Sequence, residues 1–242
     1  QLIDYEVLKD ASGKRLIGFG RYAGIVGCYN GFLTYGLKTG AYSIKPAHVC
    51  EDRHFVEEEL NNVVLPKNMR IVLTGFGRVG NGAREIMTHV GVREVSPTEF
   101  LTTQFDEPVY THLDTKDYYA RITDGGFDKS EFYKNPELYT SILDKYMKET
   151  QMYIPCHFWS SQSPFLLTKK QILENCPELK VIADISCDID GPIGSTIRPS
   201  TIADPIYGYN PVTGMEDDWK KEGNVAVMAV DNLPCELPRD AS

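Results

Sequence analysis

The chain lacks several features that would assign it to a class at once. Six cysteines are scattered along its 242 residues without any C-x-x-C pair: Cys28, Cys50, Cys156, Cys176, Cys187 and Cys235. This spacing excludes the common paired-cysteine zinc and redox patterns. No apolar run approaches the ~18–20 residues that span a bilayer, and no signal peptide is visible. We therefore expect a cytoplasmic protein whose thiols are reduced and mostly buried.

Positive charge is also scarce. Lys and Arg number 25 against 34 Asp and Glu, which gives a net charge of -9 at pH 7. This balance argues against a general partner in nucleic acid or an anionic membrane. The five histidines have no metal-ligand spacing, and neither a serine-hydrolase elbow nor a P-loop is present. We expect no metal.

The most informative stretch is RIVLTGFGRVGNGARE, at residues 70–85. Residues 70–74 predict a short buried strand, after which Gly75, Gly77 and Gly80 fall at G-x-G-x-x-G spacing, and a helix is predicted from Val79 onwards. Such a turn lets backbone approach a pyrophosphate at the positive end of a helix dipole. The prediction is a dinucleotide site; a structural glycine turn or another nucleotide-like ligand is the alternative.

The choice of dinucleotide depends on the end of the next predicted strand, at residues 92–95. A carboxylate there would bond the ribose 2′-hydroxyl and repel a 2′-phosphate. The sequence instead continues into Ser96, with Glu94 and Glu99 on either side. The absence of a clean acid favours NADP(H) over NAD(H), with Ser96 at the cofactor and Arg78 as a candidate partner of the 2′-phosphate.

Strand and helix patterns alternate along most of the chain. Strands are predicted at residues 2–8, 15–19, 70–74, 92–95, 152–155, 180–185 and 225–230. Helices are predicted at 22–37, 54–60, 79–89 and 136–148, and from a capping box at Thr168 and Gln171 to near Pro177. This alternation predicts one α/β domain over 1–242, a Rossmann-type doubly wound, mainly parallel sheet with helices on both faces. Residues 103–135 are irregular and are predicted to leave the core sheet.

Other residues are candidates for the site or for close packing. Asp188 and Asp231 follow two late strands, where α/β sheets bind ligands, although an Asp at a strand end often caps a turn. His157 and Trp159 follow another strand, and they could line a cofactor cleft or pack as an aromatic loop. Cys156 precedes His157 on that strand, and neighbouring side chains point oppositely, so no catalytic Cys–His pair is expected. Small residues recur on one helix face: Ala23, Gly24, Gly27 and Gly31. They predict tight packing against a strand, a helix or a ligand.

The chain resembles the saccharopine dehydrogenase (lysine-forming) and lysine-ketoglutarate reductase family, which is related to alanine dehydrogenase and transhydrogenase. The resemblance runs from the first residues to the last. It rests on ordered segments: LIDYEVL, GKRLIGFGRYAGIVG, VLTGFGRVGNGA, an LLT segment, VIADISCDIDGPI and MAVDNLPCELPRDAS. The irregular stretch at 103–135 looks more like the lysine-ketoglutarate reductase branch.

The resemblance implies the NAD(P)-binding domain of a two-domain oxidoreductase that acts on CH–NH groups. The reaction would join lysine and 2-oxoglutarate into saccharopine, or reverse this, by hydride transfer. Gly75, Gly77 and Gly80 match the family's pyrophosphate turn, Asp188 an aspartate near the nicotinamide, and Asp231 one at the domain interface. The acid/base lysine and histidine would belong to an N-terminal domain, so catalytic residues here stay unknown, with Asp188 and Asp231 as candidates.

Three further expectations accompany the resemblance. The chain is taken as a fragment or excised domain, with residues 1–21 forming strands that link to the N-terminal domain. An alanine dehydrogenase-like enzyme and a non-catalytic nucleotide-sensing module remain as alternative functions. The direction of reaction and the oligomeric state stay open.

Overall fold

The computed structural model describes Asp4 and residues 7–13 and 15–241. Within this part of the chain the main element is an eight-stranded sheet. Its strands are β1 Arg70–Thr74, β2 Arg93–Glu94, β3 Val109–Leu113, β6 Met152–Pro155, β7 Val181–Ala183, β8 Ile206–Asn210, β9 Met215–Asp217 and β10 Val225–Met228. Two further strands, β4 Tyr119–Arg121 and β5 Tyr139–Ser141, form a small separate sheet.

The order of the strands across the main sheet is β2-β3-β1-β6-β7-β10-β8-β9. All pairs from β2 to β10 are parallel, whereas β8 and β9 are added in antiparallel orientation. Every residue of β1, β3, β6, β7 and β10 is buried. This is the pattern of a sheet covered on both faces, and it confirms the predicted Rossmann-type doubly wound α/β fold.

Helices and short turns cover the sheet. The α-helices are α1 Gly20–Thr39, α2 Arg53–Leu60, α3 Arg78–Val90, α4 Pro97–Thr102, α5 Thr115–Tyr118, α6 Lys129–Lys134, α7 Asp144–Met147, α8 Lys169–Asn175 and α9 Pro238–Ala241. Short 3-10 turns lie at Ala47–Val49, Pro136–Leu138 and Leu233–Glu236. Alternate strand residues enter two apolar clusters: Ile71 packs with α1 and α3, whereas Val72 packs with Phe100 and Ile172 on the other face.

The small residues of α1 bring its backbone against its neighbours. A Cβ added at Gly24 would lie 1.9 Å from the Val79 carbonyl oxygen, and one at Gly82 would lie 2.0 Å from that of Arg21. A Cβ added at Gly27 would lie 2.4 Å from the Ile185 side chain, and one at Gly31 would lie 3.0 Å from the Ala183 side chain. The predicted tight packing is therefore against α3 and against the β7 region of the sheet, and it fixes where α3 begins.

The irregular stretch at 103–135 was wrongly predicted to leave the core sheet throughout. Its residues Val109–Leu113 form β3, which lies between β2 and β1 in the main sheet. Thr111 and His112 make this strand look polar, yet both are buried. The excursion from the sheet begins after Asp114, with α5, β4 and α6.

Two other local predictions were wrong, and one lies outside the described residues. Residues 136–148 form a 3-10 turn, β5 and α7 in place of one helix, because residues 139–141 pair with β4. Residues 15–19 form no strand; only Lys9 and Arg15 make an isolated bridge. The strand predicted at 2–8 falls largely outside the described residues. The antiparallel strands β8 and β9 were not predicted.

Candidate functional site

Two adjoining cavities open where the parallel strands end. The glycine-turn cavity, of about 560 Å³, lies between the turn after β1 and the chain after β6 and β7; it is lined by residues that include Gly75, Phe76, Gly77, Val79, His157 and Ser186. The edge cavity, of about 700 Å³, extends towards β2 and is lined by residues that include Arg84, Glu94, Ser96, His112 and Lys116. Phe76 and Asp114 line both cavities. This is the crevice outside the carboxyl ends of the strands where α/β sheets bind ligands.

The three glycines of the turn have different reasons to be glycine. Gly75 has φ +97°, and a Cβ there would lie 2.5 Å from the Cys156 carbonyl oxygen. A Cβ at Gly80 would lie 1.8 Å from the Gly75 carbonyl oxygen. At Gly77, by contrast, φ is -80° and a Cβ would meet nothing within 4 Å. The fold requires Gly75 and Gly80, while Gly77 leaves open space at the N-terminus of α3.

A histidine on β3 supports this turn. The Nε2–H group of His112 donates to the Gly75 carbonyl oxygen at 2.7 Å, since a carbonyl can only accept. Its ring also stacks on Phe76, with centroids 3.9 Å apart and planes 13° from parallel. Burial lowers the pKa of His112, which keeps the imidazole neutral. This role of His112 was not predicted, because the sequence pattern around it does not indicate a strand next to β1.

A second buried histidine lies at the end of β6. His157 Nδ1 is 2.9 Å from Thr74 Oγ1, which is also 3.2 Å from the Tyr153 hydroxyl. Burial lowers the pKa of His157 to about 4, and its Nε2 has no hydrogen-bond partner among the described residues. His157 lines the glycine-turn cavity. Trp159 instead donates to the Pro164 carbonyl oxygen at 3.1 Å and packs edge-on against Phe165, so it belongs to an aromatic loop.

Cys156 and His157 lie on opposite faces of the sheet. The Cys156 side chain is buried in the cluster that includes α1 and α3, and burial raises the pKa of its thiol far above its ordinary value. His157 faces Thr74 and Tyr118. The two side chains are therefore separated by the backbone, in agreement with the expectation from their adjacency on one strand.

Asp184, which was not predicted, holds the loop at the end of β7. Its carboxylate accepts from Thr196 Oγ1 at 2.5 Å, from Ser186 Oγ at 2.6 Å and from the Cys187 amide at 3.2 Å. Asp184 is fully buried, and burial raises its pKa against the effect of these donors. Cys187 has φ 53°. The network holds this strained loop, including Ser186, beside the glycine-turn cavity.

The two aspartates singled out from the sequence lie near this loop. Asp188 is half-buried, and burial together with the Asp184 charge raises its pKa. Asp231 follows β10 and is exposed. Burial raises the pKa of the Cys187 thiol, and the charges of Asp184 and Asp231 add to this effect. Neither residue is among the described residues that line the two cavities. Their roles at the nicotinamide and the domain interface stay predictions.

The carboxylates around the edge cavity differ in the hydrogen bonds and ion pairs that they already make. Glu94 Oε2 accepts from Arg84 Nε and from the Tyr110 hydroxyl, each at 2.7 Å. Glu99 closes a capping box with Ser96. Asp114 directly follows β3, the strand next to β1, and its Oδ1 accepts from the Thr115 amide at 2.8 Å. The sequence predicts no acid at the end of the neighbouring strand only if β2 is that neighbour; β3 lies there instead, so this premise was wrong.

The Arg78 side chain extends from the start of α3 towards Arg15 and Gly18. Its guanidinium donates to the Arg15 carbonyl oxygen at 3.0 Å and would collide with a Cβ at Gly18. Among the described residues that line the edge cavity, Arg78 does not appear. The arrangement gives no support to a contact between this guanidinium and a 2′-phosphate, although Arg78 is the first residue of α3.

Two classes of site find no support in the described part of the chain. No group of three or more His, Cys, Asp or Glu side chains there could hold a metal ion. None of the helices in that part has the length and apolar character that crossing a bilayer requires.

The sheet order, the glycine turn and the crevice define a Rossmann-type α/β domain. Comparison with known proteins extends this result. The whole chain aligns with alpha-aminoadipic semialdehyde synthase, mitochondrial, of Mus musculus at 28% identity over 284 residues, or 30% of that protein. It also aligns with saccharopine dehydrogenase (NAD(+), L-lysine-forming) of Neurospora crassa at 22% identity over 251 residues, or 57% of that protein. These relatives confirm the resemblance predicted from the sequence.

The remaining comparisons add less. No family model matches the chain. A solved L-alanine dehydrogenase aligns with 92% of this chain and 49% of its own, at TM-score 0.47 and 14% identity. The chain spans about 30% of the mouse relative's length. The two sequence relatives are thus named as enzymes, a synthase and a saccharopine dehydrogenase, and this chain matches only a part of each.

Proposed function

We propose that the chain is the NAD(P)(H)-binding domain of an oxidoreductase acting on CH–NH groups. The reaction would be formation of saccharopine from lysine and 2-oxoglutarate, or its reverse. The observation that carries the proposal is the open space beside Gly77. At the other two glycines of the turn, Gly75 and Gly80, backbone atoms fill the space that a Cβ would need. The similarity to a saccharopine dehydrogenase supports the substrate class.

The residues of the crevice fit a dinucleotide. The pyrophosphate would lie beside Gly77, where the N-terminus of α3 carries no side-chain cap and the helix dipole favours an anion. The nicotinamide would lie towards Ile185 and Ser186 at the end of β7, and the adenosine towards the edge cavity. The bound nicotinamide would supply the hydride or accept it.

The chain's own groups would bind and orient this cofactor. Val79 and Ile185 give the glycine-turn cavity apolar walls, while His157 beside them is neutral near pH 7 because its pKa is about 4. A neutral imidazole can position a polar group without adding charge. We expect the acid and base of the reaction to come from another part of a longer protein, so the isolated chain binds cofactor without turnover.

Isothermal titration of the chain with NADH and with NADPH tests the cofactor site, with Gly77→Ala as the decisive variant. Because the added Cβ meets no protein atom, we expect the free energy of unfolding to stay within ~0.5 kcal/mol of the wild type. The same Cβ would occupy the space of the pyrophosphate, so we expect the affinity for the dinucleotide to fall at least about tenfold. Absence of binding heat with both cofactors would reject the proposal.

The substrate class needs a separate assay on the longer protein. Lysine with 2-oxoglutarate should support cofactor oxidation, whereas pyruvate with ammonia should not. The opposite result would favour an alanine dehydrogenase-like enzyme, and cofactor binding without turnover on either pair would favour a nucleotide-sensing module.

A further inference from the structure

We infer that Asp114 bonds the adenosine ribose of the cofactor and selects NAD(H) against NADP(H). The inference rests on the proposed function, since it assigns a residue to one part of the same dinucleotide site. It reverses the preference for NADP(H) that the sequence suggested, because that preference depended on a missing acid.

The strand order places Asp114 where a ribose would lie. In Rossmann sheets the discriminating carboxylate stands at the tip of the strand next to the glycine-turn strand. Here the chain passes from β1 to the edge strand β2 and then returns, so that β3 becomes the neighbour of β1. Leu113 pairs with Thr74, and its carbonyl oxygen accepts from the Gly75 amide at 3.0 Å. Asp114, the residue after Leu113, therefore lies beside the glycine turn.

Among the described residues, the Asp114 side chain is held by backbone donors alone. It accepts from the Thr115 amide and, in the capping box of α5, from the amide of the third helical residue, and it has no ion-pair partner within the described part of the chain. Asp117 is engaged with the Asp114 amide at 2.8 Å. Glu94, one strand further out, is held by Arg84 and Tyr110. A carboxylate has about four lone-pair sites, so Asp114 can still accept from a ribose hydroxyl, and of the acids that line the edge cavity it is the one directly at the end of β3.

The charge around the edge cavity disfavours a 2′-phosphate. Three carboxylates line this cavity, namely Glu94, Asp114 and Asp117, against two cations, Arg84 and Lys116. The ion pair with Glu94 occupies Arg84, so Lys116 alone of these two cations has no ion-pair partner in the described structure. A 2′-phosphate would meet net negative charge, while a 2′-hydroxyl could donate to Asp114.

Direct binding measurements with NADH and NADPH test this assignment. We expect the wild-type chain to bind NADH at least tenfold more tightly than NADPH. Asp114→Asn should bring this ratio close to one, because it removes both the ribose acceptor's charge and the repulsion of the phosphate. Asn preserves the N-cap of α5, so the variant should stay folded. Asp114→Ser, another N-cap residue, gives a second variant with the same expectation.

Glu107→Gln is the matched control, since it neutralises an exposed carboxylate just before β3, at the opposite end of that strand from Asp114 and outside the lining of both cavities. Its NADH-to-NADPH ratio should stay within about twofold of the wild-type value. Equal or tighter binding of NADPH by the wild type, or an unchanged ratio in both Asp114 variants, would overturn the inference and leave the dinucleotide site intact. Failure to bind either cofactor would instead reject the proposed function.

Discussion

Acidification should destabilise the protein through His157. The imidazole is buried, its Nδ1 is satisfied by Thr74, and no described carboxylate pairs with it. Its pKa in the folded protein is about 4, whereas an unfolded histidine titrates near pH 6.5. The unfolded chain therefore binds the proton more tightly, so stability falls as the pH drops from about 6.5 towards 4.

The size of the effect follows from the two pKa values. At pH 5 about 97% of unfolded His157 would be protonated, against about 9% in the folded protein. The linkage integral between pH 7.5 and pH 5 then amounts to about 2 kcal/mol of lost stability. His112, whose pKa burial also lowers, acts in the same direction.

Urea unfolding at pH 7.5 and pH 5.0 isolates the contribution of His157 when the wild type is compared with His157→Gln. The variant can be less stable at both pH values, because it disturbs the bond to Thr74. We expect the loss between the two pH values to be smaller in the variant by about 2 kcal/mol. The carboxylates and His112 are present in both proteins, so their contributions to the pH dependence cancel in the comparison. Equal losses in the two proteins would refute the account of a neutral, buried imidazole.

Two further predictions concern packing around the crevice. Gly24→Ala should lower the free energy of unfolding by ~1–3 kcal/mol, because its Cβ would lie 1.9 Å from the Val79 carbonyl oxygen. Chemical denaturation measures this loss, and a loss below ~0.5 kcal/mol would contradict the prediction. Asp184→Asn should cost ~1.5–3 kcal/mol, because its amide group cannot accept all the bonds that Thr196, Ser186 and Cys187 donate. The urea midpoint measures this cost, and an unchanged midpoint would show that the carboxylate's charge is not needed.

Features with local causes could be predicted from the sequence. The strand before Gly75 and the helix that contains Gly80 were expected from a short stretch of sequence, and the backbone around those two glycines leaves no room for any other residue. The capping box between Thr168 and Gln171 is present at the predicted start of α8. The glycine row of α1 indicated close packing for the same reason, since only the absence of a Cβ allows that approach.

Features that depend on strand order could not be predicted in this way. Nothing local in VYTHL shows that β3 inserts between β2 and β1, because that order is decided by packing across the whole sheet. For the same reason His112 and Asp114 were not predicted as site residues, because they become functional candidates only when β3 lies next to the glycine turn. Asp184 was read as part of a strand, and its three donors come from residues up to twelve positions away.

The position of β3 links the geometry of the glycine turn to the choice of cofactor. The Gly75 amide donates to Leu113, and the Gly75 carbonyl oxygen accepts from His112, so the turn is bonded to this strand at two points. Asp114 is the next residue along the same strand. A disturbance of β3 should therefore impair pyrophosphate binding and ribose recognition together. A change confined to the Asp114 side chain leaves both bonds to Gly75 in place, and it should alter only the preference between the two dinucleotides.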